Sequence, residues 1–222
     1  MICLLLFRST SIAQTNSDTI FLQRDTLDGY YHSVFIEPDS QSEIYNYFES
    51  LNFSYFDSTL YQEYISMLLD SNPEPFLHFK YDRKFPLLWD ALHSHDSKLY
   101  LYAPCDWLYD YKLKITDSTF ELISGEGPEP SRILSYQKLS NHNFQFVVEP
   151  PAGDSMIYNF HLLKSLPSVV RMICYYNRNS EPTYMLFADA KKARSFPLIV
   201  NKCDYRKMAE YKFDEPDWKK FL

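Results

Sequence analysis

From Lys98 to Asn201 the chain is a succession of short apolar and aromatic stretches broken by turn residues. Such spacing dictates strands, and connections as short as Asn141-His142-Asn143 dictate antiparallel neighbours. The pattern is sharpest from Trp107 to Ile115. There Trp107, Tyr109, Tyr111, Leu113 and Ile115 share one parity, while Asp110, Lys112 and Lys114 take the other. Alternate side chains of a strand point to opposite faces, so the first set is expected in a core and the charges in water. Further strands fit Thr119 to Ser124, Arg132 to Leu139, Phe144 to Glu149, Met156 to Leu163, Val169 to Tyr176, Thr183 to Ala188 and Pro197 to Asn201. Gly125 to Pro130 combines the strong breakers and is expected to be a loop.

Ahead of this region, Asp18 to Leu22 and Tyr30 to Ile36 read as strands joined at Asp28-Gly29. Two helices are expected next. Ser40 and Glu43 have capping-box spacing before Ile44, Tyr47, Phe48 and Leu51. Asp57 precedes a second stripe of Leu60, Tyr64, Met67 and Leu68, which Asn72-Pro73 stops. A short third helix is expected from Pro86, burying Leu87, Leu88, Ala91 and Leu92. Tyr205 to Leu222 should add a helical turn or two, docked by Trp218 and Phe221. The fold class is therefore α+β and mainly antiparallel β. About eight strands form a meander that closes as a barrel or folds over as a sandwich, with two or three short helices mostly in the N-terminal third.

Met1 to Phe7 is apolar, and Ser11-Ile12-Ala13 offers small residues at both positions read by a signal peptidase. Residues 1–13 are expected to be a signal peptide, shortened at its start because no basic n-region precedes the apolar stretch. Residues 14–222 then form a single β-rich domain, exported to the periplasm, the cell surface or the medium. Cys105, Cys174 and Cys203 allow three alternative disulfides and one leftover thiol in such a compartment. No run approaches the ~18 apolar residues that cross a bilayer as a helix, so no transmembrane segment is expected. The 29 acidic residues outnumber 22 basic ones, for a net charge of −7. That balance repels phosphate backbones and excludes nucleic acid from the expected partners.

The four glycines are Gly29, Gly125, Gly127 and Gly153. None forms a phosphate-cradling loop or a Gly-x-Ser-x-Gly elbow, and no cofactor is expected. In His93-Ser94-His95-Asp96 the acid is displaced from its usual ligand position, so no metal site is expected. Acids such as Glu37, Asp39, Glu126, Glu129, Asp214 and Asp217 are plentiful, yet nothing in their neighbourhoods singles out a catalytic pair. Aromatics make up 18% of the chain. They fit half-buried sheet surfaces, and they could also line the mouth of a closed sheet. Trp89, Trp107, Tyr109 and Tyr111 are the candidate lining residues. The expectation is an extracytoplasmic, non-catalytic binding protein with a small-molecule or protein partner. The alternatives are a structural or interaction module of an envelope complex and, behind it, a hydrolase with a carboxylate-based site.

Overall fold

The computed structural model describes residues 19–27, 29–50, 58–82, 85–106, 111–124, 127–176, 181–203 and 208–221. The expected signal peptide, Asp57, Trp107 and Tyr109 lie outside the described residues. The strands are β1 (Ile20–Leu27), β2 (Tyr30–Glu37), β3 (Leu88–His95), β4 (Lys98–Ala103), β5 (Lys112–Ile115) and β6 (Thr119–Ser124). They continue as β7 (Gly127–Lys138), β8 (Asn143–Glu149), β9 (Met156–Leu162), β10 (Val169–Tyr175), β11 (Thr183–Asp189) and β12 (Leu198–Cys203). Helices α1 (Glu43–Ser50) and α2 (Ser58–Ser71) precede β3, and short 3-10 helices occupy Ala190–Ser195 and Trp218–Phe221.

The fold is mainly antiparallel β, as the spacing of short strands dictates, and it closes as a barrel. Strands β5 to β11 run as a meander, each pairing antiparallel with the next. Strand β3 completes the circle by pairing with β11 on one side and β5 on the other. The closure uses the first half of β3, with Leu88, Trp89 and Asp90 opposite Lys114, Leu113 and Lys112. Its second half leaves β5: His93, Ser94 and His95 pair with Tyr100, Leu99 and Lys98 of β4. From that branch the sheet runs on through β12, parallel to β4, and then through β2 to β1.

An eight-stranded barrel has a bore just wide enough for side chains to fill, and here rings fill it. Phe120 stacks on Tyr158 with centroids 4.4 Å apart, Phe85 meets Phe144 at 4.6 Å, and Phe146 meets Phe160 at 5.5 Å. Trp89, Leu113, Ile133, Met172 and Phe187 belong to the same buried cluster. The high aromatic content is thus spent largely as core. A second core lies outside the barrel wall, where Leu92, Val169 and Leu186 meet Tyr45 and Phe48 of α1 and Leu101 and Leu198 of the branch sheet. The Tyr45 hydroxyl donates to the carbonyls of Ala193 and Phe196 at 3.0 and 2.8 Å, fastening α1 to the far end of the chain.

Several local expectations are corrected. The segment after Pro86 is strand β3, not a helix. Leu88, Ala91 and Leu92 suit either period, because β3 is buried on both faces: Trp89 and Ala91 face the bore, while Leu92 joins the outer core. Pro128 and Pro130 belong to β7, opposite Ile123 and Glu121. Strand β8 joins β7 only from Arg132 onward, so their missing N–H groups cost no ladder bond on that edge. Helix α1 is capped by Ser42, whose Oγ accepts from the Tyr45 N–H at 3.1 Å, and it buries Tyr45 and Phe48 while Tyr47 stays exposed. In β5, Leu113 and Ile115 are buried as their parity requires. Lys112 is only 1% exposed, because α1 lays the Phe48 ring 4.0 Å from its Nζ. Tyr111, which precedes the strand, is 45% exposed.

Candidate binding site

The four residues singled out by their aromatic character are not brought together. Trp89 is fully buried in the bore cluster, and Trp107 and Tyr109 lie outside the described residues. Tyr111 is the one that reaches a surface cleft, and the branch in the sheet explains why. Its carbonyl accepts the Ala91 N–H at 3.1 Å, the last rung before β3 turns from β5 toward β4. Two strands that part at an angle leave a gap beside the parting strand. Here the gap is a cleft of about 210 Å³, lined by Tyr111, Leu92, His93, Tyr184, Leu186, Phe213, Asp214, Glu215 and Trp218.

The chain after residue 208 forms the other wall. Asp214 N–H donates to the Ser94 carbonyl at 2.9 Å, and Asp214 Oδ2 accepts the Asp96 N–H at 2.8 Å. Further on, Trp218 packs against Tyr184 with centroids 5.4 Å apart. The sequence singles out Trp218 only as an anchor of the C-terminal segment and Tyr184 not at all; each is distant in the chain from Tyr111, and the register of β11 with β3 brings Tyr184 alongside. The cleft therefore combines partly exposed aromatic faces with two carboxylates. His93 is taken up by packing: its ring stacks on Phe213 at 4.4 Å and meets Tyr102 edge-on at 5.5 Å. Burial lowers its pKa to about 4, so it is neutral at physiological pH.

The residues able to hold a metal ion, among those described, are His95, Asp96 and Asp214, whose ligand atoms lie within 4.8 Å of one another. His95 Nε2 is 3.7 Å from Asp96 Oδ2, and its Nδ1 is 4.0 Å from Asp214 Oδ2. His93, the other half of the His-x-His pair, is not part of this group. Asp96 and Asp214 are both exposed, and their bond to each other fastens the β3–β4 turn to the C-terminal stretch.

A buried polar network anchors the start of that stretch. His32 Nε2 lies 2.7 Å from Asn201 Oδ1, and Asn201 Nδ2 donates to the Tyr102 hydroxyl at 3.0 Å. Tyr102 in turn donates to Glu210 Oε2, and Glu210 Oε1 accepts the Asp106 N–H at 2.7 Å. Burial raises the Tyr102 pKa, so the phenol remains a donor. Beside the network Cys105 and Cys203 form a disulfide, leaving Cys174 as the buried thiol. The network holds the start of residues 208–221 against the branch through Glu210, and the disulfide ties the end of β12 to the segment after β4.

Comparison with protein-family models, with curated proteins and with solved structures gave no match in any of the three.

Proposed function

We propose that the chain is an exported, non-catalytic binding protein that takes a small molecule in the branch cleft rather than in the barrel bore. The observation that carries this reading is the contrast between the two aromatic groups. The bore rings are buried against one another, whereas Tyr111 and Tyr184 keep exposed faces on a cleft that also offers Asp214 and Glu215. Aromatic faces beside a few polar groups are the usual makeup of a small-molecule site. A fitting ligand presents a flat or apolar face to the rings and hydrogen-bond donors to the carboxylates. The Cys105–Cys203 disulfide supports export, since such bonds persist in oxidising compartments.

The test is a small-molecule screen read by Trp218 fluorescence, repeated on Tyr111→Ala and Tyr184→Ala. Binding that both substitutions weaken supports the reading; hits that both variants keep unchanged contradict it. Intact mass of protein from the native host checks export, with Gln14 expected as the first residue. A second reading, an interaction module, rests on the β1–β2 hairpin, where Ile20, Phe21, Tyr30 and Tyr31 are exposed.

A further inference from the structure

Arg171 sits in the middle of β10 on the outer wall of the barrel and is 7% exposed. Its cross-strand neighbours are His161 on β9 and Leu186 on β11, so no acid lies opposite it. Among the described residues its guanidinium makes no hydrogen bond or ion pair, and its Nε is buried with no acceptor. A guanidinium does not shed its proton at any physiological pH, so burial cannot neutralise it as it would a lysine. Arg132, the other buried arginine among the described residues, donates through Nη2 to the carbonyls of Leu68 and Asn72 and lies 3.6 Å from Glu149. A buried charge left without a counter-charge, in a chain carrying 29 acidic residues, points to a counter-ion from outside.

The space beside Arg171 fits that role. It lines a cleft of about 730 Å³ with His142, His161, Lys164 and Lys220, and among the described residues none that lines the cleft is acidic. His161 is held by packing and by Asn143, whose Oδ1 lies 2.8 Å from its Nδ1, and burial together with the Arg171 charge lowers its pKa. Lys220 has an exposed neighbour in Asp217 at 3.7 Å, a contact that solvent weakens and an arriving anion can outcompete. The 3-10 helix Trp218–Phe221 separates this cleft from the branch cleft. Trp218 faces one, while Lys220 and Phe221 face the other.

We propose that this second cleft binds an oxyanion, the carboxylate or phosphate group of a small solute, with Arg171 as the bidentate anchor and Lys164 and Lys220 at the mouth. The planar fork of a guanidinium matches both groups, and bonds to charged acceptors are the strong ones. The inference is independent of the branch-cleft reading, which concerns other residues and another chemistry.

The experiment is calorimetric titration of the full chain with inorganic phosphate and with succinate, each against sodium chloride at matched ionic strength. Saturable heat is expected with at least one of the two, and the preference identifies the group. Arg171→Gln is expected to weaken binding at least about tenfold, the loss of one charge-assisted bidentate contact. Should Arg171→Gln not fold by circular dichroism, the exposed pair Lys164→Ser and Lys220→Ser decides, with a several-fold loss expected. Wild-type protein that takes up neither anion overturns the proposal, as does unchanged affinity in the variants. Either failure leaves the branch-cleft screen untouched.

Discussion

Lys112 Nζ donates to Asp90 Oδ1 at 2.9 Å across the pair of strands that closes the barrel, with both residues almost fully buried. The two are register partners on the outer wall, roofed by the Phe48 ring. Closure of the barrel therefore includes an ion pair taken out of water, which is stable only while both partners remain. Lys112→Met is expected to cost about 3–5 kcal/mol, because it strands the Asp90 charge. Lys112→Met with Asp90→Leu should recover most of that loss, since an apolar pair of similar volume is often no worse than a buried ion pair. Urea unfolding measures both. Equal instability of the single and double variants would show that the pair does not act as one.

Arg132 does comparable work under α2. Its Nη2 donates to the carbonyls of Leu68 and Asn72, at 2.9 and 2.7 Å, at the C-terminal end of the helix. Beside it, Glu121 accepts from Tyr61 at 3.1 Å and from Thr119 at 2.8 Å, and pairs with Lys114 at 3.0 Å. Arg132→Met is expected to destabilise the domain by about 2–3 kcal/mol through lost charged hydrogen bonds. Amide exchange should accelerate first in α2, while the strands of the bore stay protected. Uniform acceleration across α2 and the bore would contradict the docking role.

His93 gives the domain a defined acid response. Its folded pKa of about 4 lies below the ordinary value of 6.5, so the unfolded chain takes up the proton more readily. This contribution to stability is complete above about pH 6.5, falls as the pH drops toward 4, and then levels off. The span corresponds to about 3 kcal/mol. His93→Phe keeps the stack on Phe213 and removes the titration. The unfolding free energy of the native protein minus that of His93→Phe should fall steadily from pH 7 to pH 4. A constant difference across that range would refute the assignment.

The strands were legible because their spacing is local. Thr119–Ser124 can be read to the residue, and Leu113 and Ile115 take their buried face from parity alone. What lies over the wall was not legible. Lys112, Glu121 and Arg132 carry the charge that marks a wet face, yet α1 and α2 cover them, and the groups that satisfy them come from elsewhere in the chain: the Asp90 and Tyr61 side chains and the carbonyls at the end of α2. Pattern also failed where β3 is buried on both faces, since two-sided burial erases the alternation that tells strand from helix. Of the candidate site, Tyr111 was legible as a candidate lining residue, but its parity within an expected Trp107–Ile115 strand pointed to the core, whereas it precedes β5 and is exposed. Tyr184 and Trp218 were not legible as lining residues, because a branch in the sheet is a long-range event with no local signature.

The most direct test of a ligand held beside the branch, with the bore as packed core, is the response of the indole N–H resonances when a ligand from the screen is titrated into nitrogen-15-labelled protein. Trp218 lines the cleft, while Trp89 lies fully buried among the bore rings. The expected result is a saturable shift of the Trp218 indole, abolished in Tyr184→Ala, with the Trp89 resonance unmoved. A shift of Trp89 with Trp218 unmoved would mean that the bore opens to admit the ligand, and would contradict the account.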